Sequence, residues 1–292
     1  MKNESLFEFR DIYAEQNPCK SYSRDGKLSE TLDELKKGKR RVSDYDRYNT
    51  IYRVGDIIRA SLSFKENGGI QSNIPEFIET TTQYALNICR NPRERKKIVK
   101  KFENEMIETC NSKLFNQWIN YNIGDSNVEY WTNNNCLRSA GALVEKTKNK
   151  NILMIPIADG GIVPGLKVFL KYIKLSESND SKIYPLRYST RKNPRDTTRV
   201  ESSELNYLLK MGRNRDIVIF DDDSYSGRTI LGLKHLLQRE IFGDKNILLK
   251  VNGNMTSKFK MTRNARKNLN PEELCELDRL DESHIKSLDE IF

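Results

Sequence analysis

The chain is 292 residues long, 37% hydrophobic and 31% charged, with 50 Lys and Arg against 41 Asp and Glu and a formal net charge of +9. That length supports one large or two modest domains with a substantial core, and the basic balance favours anionic partners, either nucleic acid or a polyphosphate substrate. No run of eighteen apolar residues occurs and MKNESLFEFRDIY lacks an apolar signal core, so no membrane span and a cytoplasmic location are expected; the five scattered cysteines suggest neither a zinc knuckle nor a disulfide framework.

Residues 1–117 read as a helical accessory region. Segments 48–62 (YNTIYRVGDIIRASL) and 98–118 (IVKKFENEMIETCNSKLFNQW) repeat apolar residues every three or four positions, while Gly68-Gly69 and Asn91-Pro92 mark breaks. Two basic runs, 36–41 (KKGKRR) and 93–101 (RERKKIVKK), fit either a solvated helix face or a nucleic-acid contact.

From residue 118 to 252 the texture is that of one α/β domain. Segment 152–157 (ILMIPI) is strand-like, 162–172 helical, 183–188 (IYPLRY) strand-like, 204–209 helical, 217–220 (IVIF) a buried strand, 229–240 helical and 246–251 (NILLKV) a closing strand. Strands alternating with helices imply a parallel sheet flanked by helices, with right-handed crossovers. Residues 253–292 form a basic and then acidic C-terminal extension.

Three connections in this domain carry chemistry. After the first strand come Ala158, Asp159, Gly160 and Gly161; adjacent glycines let the backbone approach a ligand closely or take positive φ, and the helix that follows adds its positive end. Segment 188–199 (YSTRKNPRDTTR) is polar and basic, with Arg191, Lys192 and Arg195, and reads as a mobile loop that either closes over a ligand or binds nothing. The third is the stretch 217–229, IVIFDDDSYSGRT. Asp221 and Asp222 end the strand, and Ser224, Tyr225, Ser226, Gly227, Arg228 and Thr229 supply N–H groups, hydroxyls and a helix start that suit a phosphate. In an open α/β sheet such a junction is where ligands bind. The plainer reading is a strand end whose acids, with Ser226 as N-cap, start the next helix.

The stretch 217–229 resembles the signature by which type I phosphoribosyltransferases bind 5-phosphoribosyl-1-pyrophosphate (PRPP), in which four hydrophobic residues precede two acids and a Thr/Ser-Gly-x-Thr turn. The resemblance implies that Asp221 and Asp222 hold the ribose hydroxyls, directly or through a Mg2+ cofactor, and that Ser224, Ser226, Gly227, Arg228 and Thr229 cradle the 5′-phosphate. It implies a pyrophosphate-binding role for Ala158, Asp159, Gly160 and Gly161; Asp159 stands 62 residues before Asp221, and Pro156 to Asp159 match the Pro-x-x-Asp of PRPP amidotransferases. It likewise implies that Arg191, Lys192 and Arg195 lie on a loop closing over the leaving pyrophosphate. Tyr225 departs from the aspartate common in purine-using members, and joins Asp221 and Asp222 as a candidate catalytic residue that either stacks on an acceptor ring, donates a hydrogen bond or packs as a turn residue. The implied activity is Mg2+-dependent transfer of 5-phosphoribosyl to an unidentified acceptor, a nucleobase-like nitrogen, releasing pyrophosphate, by a protein that is a homodimer. The alternative is a non-catalytic regulator or effector of the same fold that binds nucleic acid through the basic N-terminal helices.

Overall fold

The structure, a computed structural model, describes residues 21–22, 27–37, 44–70, 72–91, 93–121, 128–129, 133–158, 160–188, 200–223 and 228–253. The chain divides into two compact units, Met1–Asn133 and Asn134–Phe292. The division falls later than the boundary expected at residues 117/118. Trp118 belongs to the first unit's core: it is fully buried, with its ring centroid 5.5 Å from that of Phe77 and 5.6 Å from that of Phe102.

The first unit holds helices α1 (Leu28–Lys36), α2 (Asp44–Glu66), α3 (Ile74–Arg90) and α4 (Arg95–Ile119), with a short antiparallel pair of β1 (Ser21–Tyr22) and β2 (Val128–Glu129). Nearly every described side chain of α2 from Tyr52 to Leu62 is buried, the mark of a central helix rather than a surface one. Its buried Asp56 and Arg59 form an ion pair one turn apart. Helix α4 is two segments joined at Asn111 (φ 61, ψ 162), whose Oδ1 accepts the N–H groups of Lys113 (3.0 Å) and Leu114 (3.1 Å) and so caps the second segment.

In the second unit α5 (Asn133–Lys146) leads to β3 (Ile152–Ala158), α6 (Ile162–Ser176), β4 (Lys182–Ile183), β5 (Leu186–Arg187), α7 (Ser202–Gly212), β6 (Asp216–Asp223), α8 (Arg228–Leu237), a π-helical turn (Gln238–Phe242) and β7 (Ile247–Gly253). The five strands pair only in parallel, in the order β4-β3-β6-β7, with β5 also on β3. Parallel strands covered on both faces are continuous apolar runs, and Ile152 to Ile155 and Ile217 to Phe220 are all fully buried. Each such side chain contributes about 1.5–3 kcal/mol relative to exposure.

The strand expected over 183–188 is instead two short strands, because Pro185 has no N–H to give to the ladder. Register passes through the break unshifted, with Met154 opposite Ile183 and Ile157 opposite Leu186.

Helices cover both faces of the sheet. Gly165 of α6 lies against the side chains of Pro156 and Phe220, whereas Gly212 of α7 lies against Ile217 and Phe242. Residues 217 and 220 point to opposite faces of β6, so α6 lies on one face, with α7 and the π-helical turn on the other. The chain leaves β3 toward β4 and leaves β6 in the opposite direction, toward β7. The topological switch therefore lies between the two central strands, where the helices that follow them diverge and open a crevice beyond their carboxyl ends. Among the described residues, no helix is long and apolar enough to cross a membrane.

Candidate functional site

Pro156 of β3 stands opposite Phe220 of β6, so the first residues beyond these two are the ones that meet in the crevice. On β6 they are Asp221 and Asp222, both half-buried; the Asp222 N–H donates to Asp221 Oδ1 at 3.0 Å. Asp222 shares the face of Phe220, toward α6.

The loop after β3 and the second acid of the pair, Asp222, are in direct contact. A Cβ placed on Gly160 would stand 2.2 Å from Oδ2 of Asp222 and 2.5 Å from its Cγ. The carboxylate of Asp222 thus fills the space that any other residue at position 160 would need for its side chain. At Gly161 a Cβ would stand 2.6 Å from the carbonyl oxygen of Ile157 and 3.2 Å from that of Phe220, so this glycine lets α6 start hard against the two central strands. Neither glycine has positive φ, and Gly161 has φ −69. Positive φ is therefore not the use made of the pair; both glycines give room to the protein's own groups, Asp222 at position 160 and the central strands at position 161.

Helix α6 begins at this point with no side-chain cap and no acid in its first turn. The Asp222 carboxylate contributed by β6 lies against Gly160, one residue before the N-cap of this helix, a favourable position for negative charge.

In the sequence Arg187 is one residue of the strand-like segment 183–188, with nothing to mark it for the site. It pairs with Ala158 across β5 and β3, which puts a half-buried guanidinium on the same face and at the same sheet edge as Asp222. Strand register supplies this neighbour, and no spacing in the sequence reports it. On the far side of β6, Lys250 of β7 stands opposite Phe220. Burial, with Lys146 nearby, pushes its amine down to about 8.

Other expected residues divide plainly. Arg228 and Thr229 open α8, so the strand, turn and helix follow one another as the sequence implies. Asp159, Ser224, Tyr225, Ser226 and Gly227 lie outside the described residues, as do Arg191, Lys192 and Arg195. Among the described residues, no three His, Cys, Asp or Glu side chains gather as a metal-binding group.

Comparison with protein-family models, with curated proteins and with solved structures finds no match.

Proposed function

We propose that the chain is a phosphoribosyltransferase that takes PRPP at the switch between β3 and β6 and transfers its phosphoribosyl group to a nucleobase-like nitrogen. One observation carries this reading: the Asp222 carboxylate rests on Gly160, so the acid that ends β6 and the glycines that follow β3 line the crevice side by side. A sugar bearing a 5′-phosphate and a 1-pyrophosphate needs such a wall, with acceptors for its hydroxyls beside donors for its anionic groups.

In this reading Asp221 and Asp222 orient the ribose through its hydroxyls. The N–H groups of Ile162 and Val163 in the first turn of α6, which no carbonyl of the helix can use, face the pyrophosphate with the Arg187 guanidinium; Pro164, next in the turn, has no N–H to add. Ser224 to Thr229 hold the 5′-phosphate at the start of α8. The acceptor nitrogen attacks C1 of the ribose, the bond from C1 to the pyrophosphate oxygen breaks, and pyrophosphate leaves with the bonding pair. Donors fixed in advance at the leaving group stabilise the charge that develops there.

Two adjacent, half-buried carboxylates suit Mg2+, which needs only one or two protein carboxylates when it keeps its waters and takes substrate oxygens. Asp221 and Asp222 would hold it, and when bound it supplies further neutralisation of pyrophosphate charge. Tyr225 is the residue assigned to the acceptor.

Isothermal titration with PRPP and Mg2+ tests the donor half of the proposal; no binding at millimolar PRPP would refute it. Pyrophosphate release in the presence of a panel of purine and pyrimidine bases tests the transfer. Asp222→Asn, which removes a charge but little volume, is expected to abolish release, and full activity in that variant would remove Asp222 from the site.

A further inference from the structure

The first unit carries a concentration of charge that the crevice does not use. Residues 90–101 (RNPRERKKIVKK) close α3, turn and open α4. Arg95 points inward, buried, with its Nη1 donating to Thr50 Oγ1 at 3.2 Å. Lys101 is exposed and paired with Glu105 at 3.3 Å. The remaining cations, Arg90, Arg93, Lys96, Lys97 and Lys100, are exposed, and none of their side chains has an ion-pair or hydrogen-bond partner among the described residues. Glu94 is the one carboxylate in the segment.

Helical geometry places Lys96, Lys97, Lys100 and Lys101 within one sector of about 140°. The fully buried Val99 and Phe102 lie on the opposite side. The other basic run behaves differently where it is described. Lys36 is neutralised by Asp33 at 3.3 Å and Glu103 at 2.6 Å, and residues 38–41 lie outside the described ones.

This arrangement works against the stability of the isolated protein. The first turn of α4 contains no acid, and Lys96 and Lys97 stand there beside the helix's own positive end. Lys96 with Lys100, and Lys97 with Lys100, are like-charged neighbours on the helix surface. A polyanion relieves all of these repulsions together. No large apolar side chain in the segment is exposed, since the exposed ones among the described residues are Leu137, Leu175 and Leu209. Insertion into lipid therefore has no apolar group to use, and base stacking no aromatic ring. Cations repeating at about 6 Å along a rigid helix suit the regular phosphates of a duplex.

We propose that the corner formed by Arg90, Arg93, Lys96, Lys97 and Lys100 is a docking surface for the backbone of double-stranded nucleic acid, bound by charge and not by sequence. The proposal stands independently of the phosphoribosyl reading.

The test uses the full chain and a fluorescently labelled duplex of mixed sequence, with affinity measured by anisotropy from 50 to 200 mM salt. Five phosphate contacts give a slope of log K against log salt of about −4.5, or about 500-fold weaker binding across that range. The double variant Lys96→Glu/Lys100→Glu is expected to bind at least about tenfold more weakly at 50 mM salt, with the slope reduced by about two. Its melting temperature should equal or exceed that of wild type, because the new carboxylates suit the start of a helix. The variant Lys148→Glu/Lys210→Glu, with the same net charge and both changes at exposed positions of the second unit, should bind as wild type does. Absence of wild-type binding at 50 mM salt would overturn the proposal. So would wild-type affinity in Lys96→Glu/Lys100→Glu, an equal loss in the control, or tighter binding to anionic lipid vesicles than to the duplex at the same salt.

Discussion

Replacing each of the two loop glycines by alanine separates their contributions. A Cβ at position 160 falls 2.2 Å from Asp222 Oδ2, well inside an ordinary contact of about 3.5 Å, so the carboxylate has to retreat by about 1 Å. The obstructing atoms are the end of a side chain, so the retreat is a torsional adjustment costing about 0.5–1.5 kcal/mol. A Cβ at position 161 meets backbone oxygens of Ile157 at 2.6 Å and Phe220 at 3.2 Å. Those belong to the central strands and cannot rotate away, which makes this a true overpacking lesion of about 1–3 kcal/mol or more. At about 2–4 °C per kcal/mol, Gly160→Ala should melt within a few degrees of wild type and Gly161→Ala lower. Function reverses that severity for Gly160→Ala. A displacement of 1 Å in a group that positions substrate costs about 10²-fold, so this variant should lose about a hundredfold in PRPP-dependent pyrophosphate release while remaining folded. Calorimetric melting and single-turnover release measure the two effects separately. The contact itself is tested by a cycle with Asp222→Ala, which removes the obstruction; Gly160→Ala should then cost measurably less in the Asp222→Ala background. Additivity within about 0.5 kcal/mol, or wild-type turnover in Gly160→Ala, would show that the carboxylate does not rest on Gly160.

Two further outcomes concern stability. The amine of Lys250, held at about 8 against an ordinary 10.5, is deprotonated in the folded chain at pH values where the unfolded chain still binds the proton, so its contribution to stability rises with pH between about 8 and 10.5. Lys250→Met should therefore be about 1–3 kcal/mol more stable than wild type at pH 7, with the gap shrinking by pH 9.5 in denaturant titrations; a gap that stays constant with pH would contradict the depressed amine. At Asn111, alanine loses the cap and keeps the unfavourable φ, for a loss of about 1–2 kcal/mol, while glycine loses the cap but accepts the backbone and costs a few tenths. Equal denaturation midpoints for these two variants would contradict that division.

The elements legible in the sequence were those whose pattern is local. Ile152 to Ile157 and Ile217 to Phe220 are unbroken apolar runs, and they are the buried central strands. The periodicity of 98–118 likewise lies within α4, although the cap at Asn111 that divides it was not apparent. What the sequence hid depends on partners far along the chain. The apolar alternation of 183–188 predicts one strand because alternation reports faces and not donors, and Pro185 divides it in two. Whether Gly160 and Gly161 serve positive φ or close approach is decided by Asp222 and Phe220, about sixty residues later. Arg187 acquires its place only through its register with Ala158. Trp118 looked like the start of a new domain, but its partners Phe77 and Phe102 belong to the preceding helices.

The position of the crevice between β3 and β6 also bears on how the protein responds to heat. Amides in central strands exchange with solvent only through the largest openings a domain undergoes, whereas short outer strands such as β4 and β5 are released in smaller fluctuations. The loops that form the crevice are tethered to the two strands that open last. An occupant of the crevice is therefore coupled to the cooperative melting of the second unit as a whole, and a ligand at a hundred times its Kd raises that unit's stability by about 2.7 kcal/mol. Thermal-shift screening of phosphorylated sugars and nucleotides can thus register occupancy without any knowledge of the acceptor.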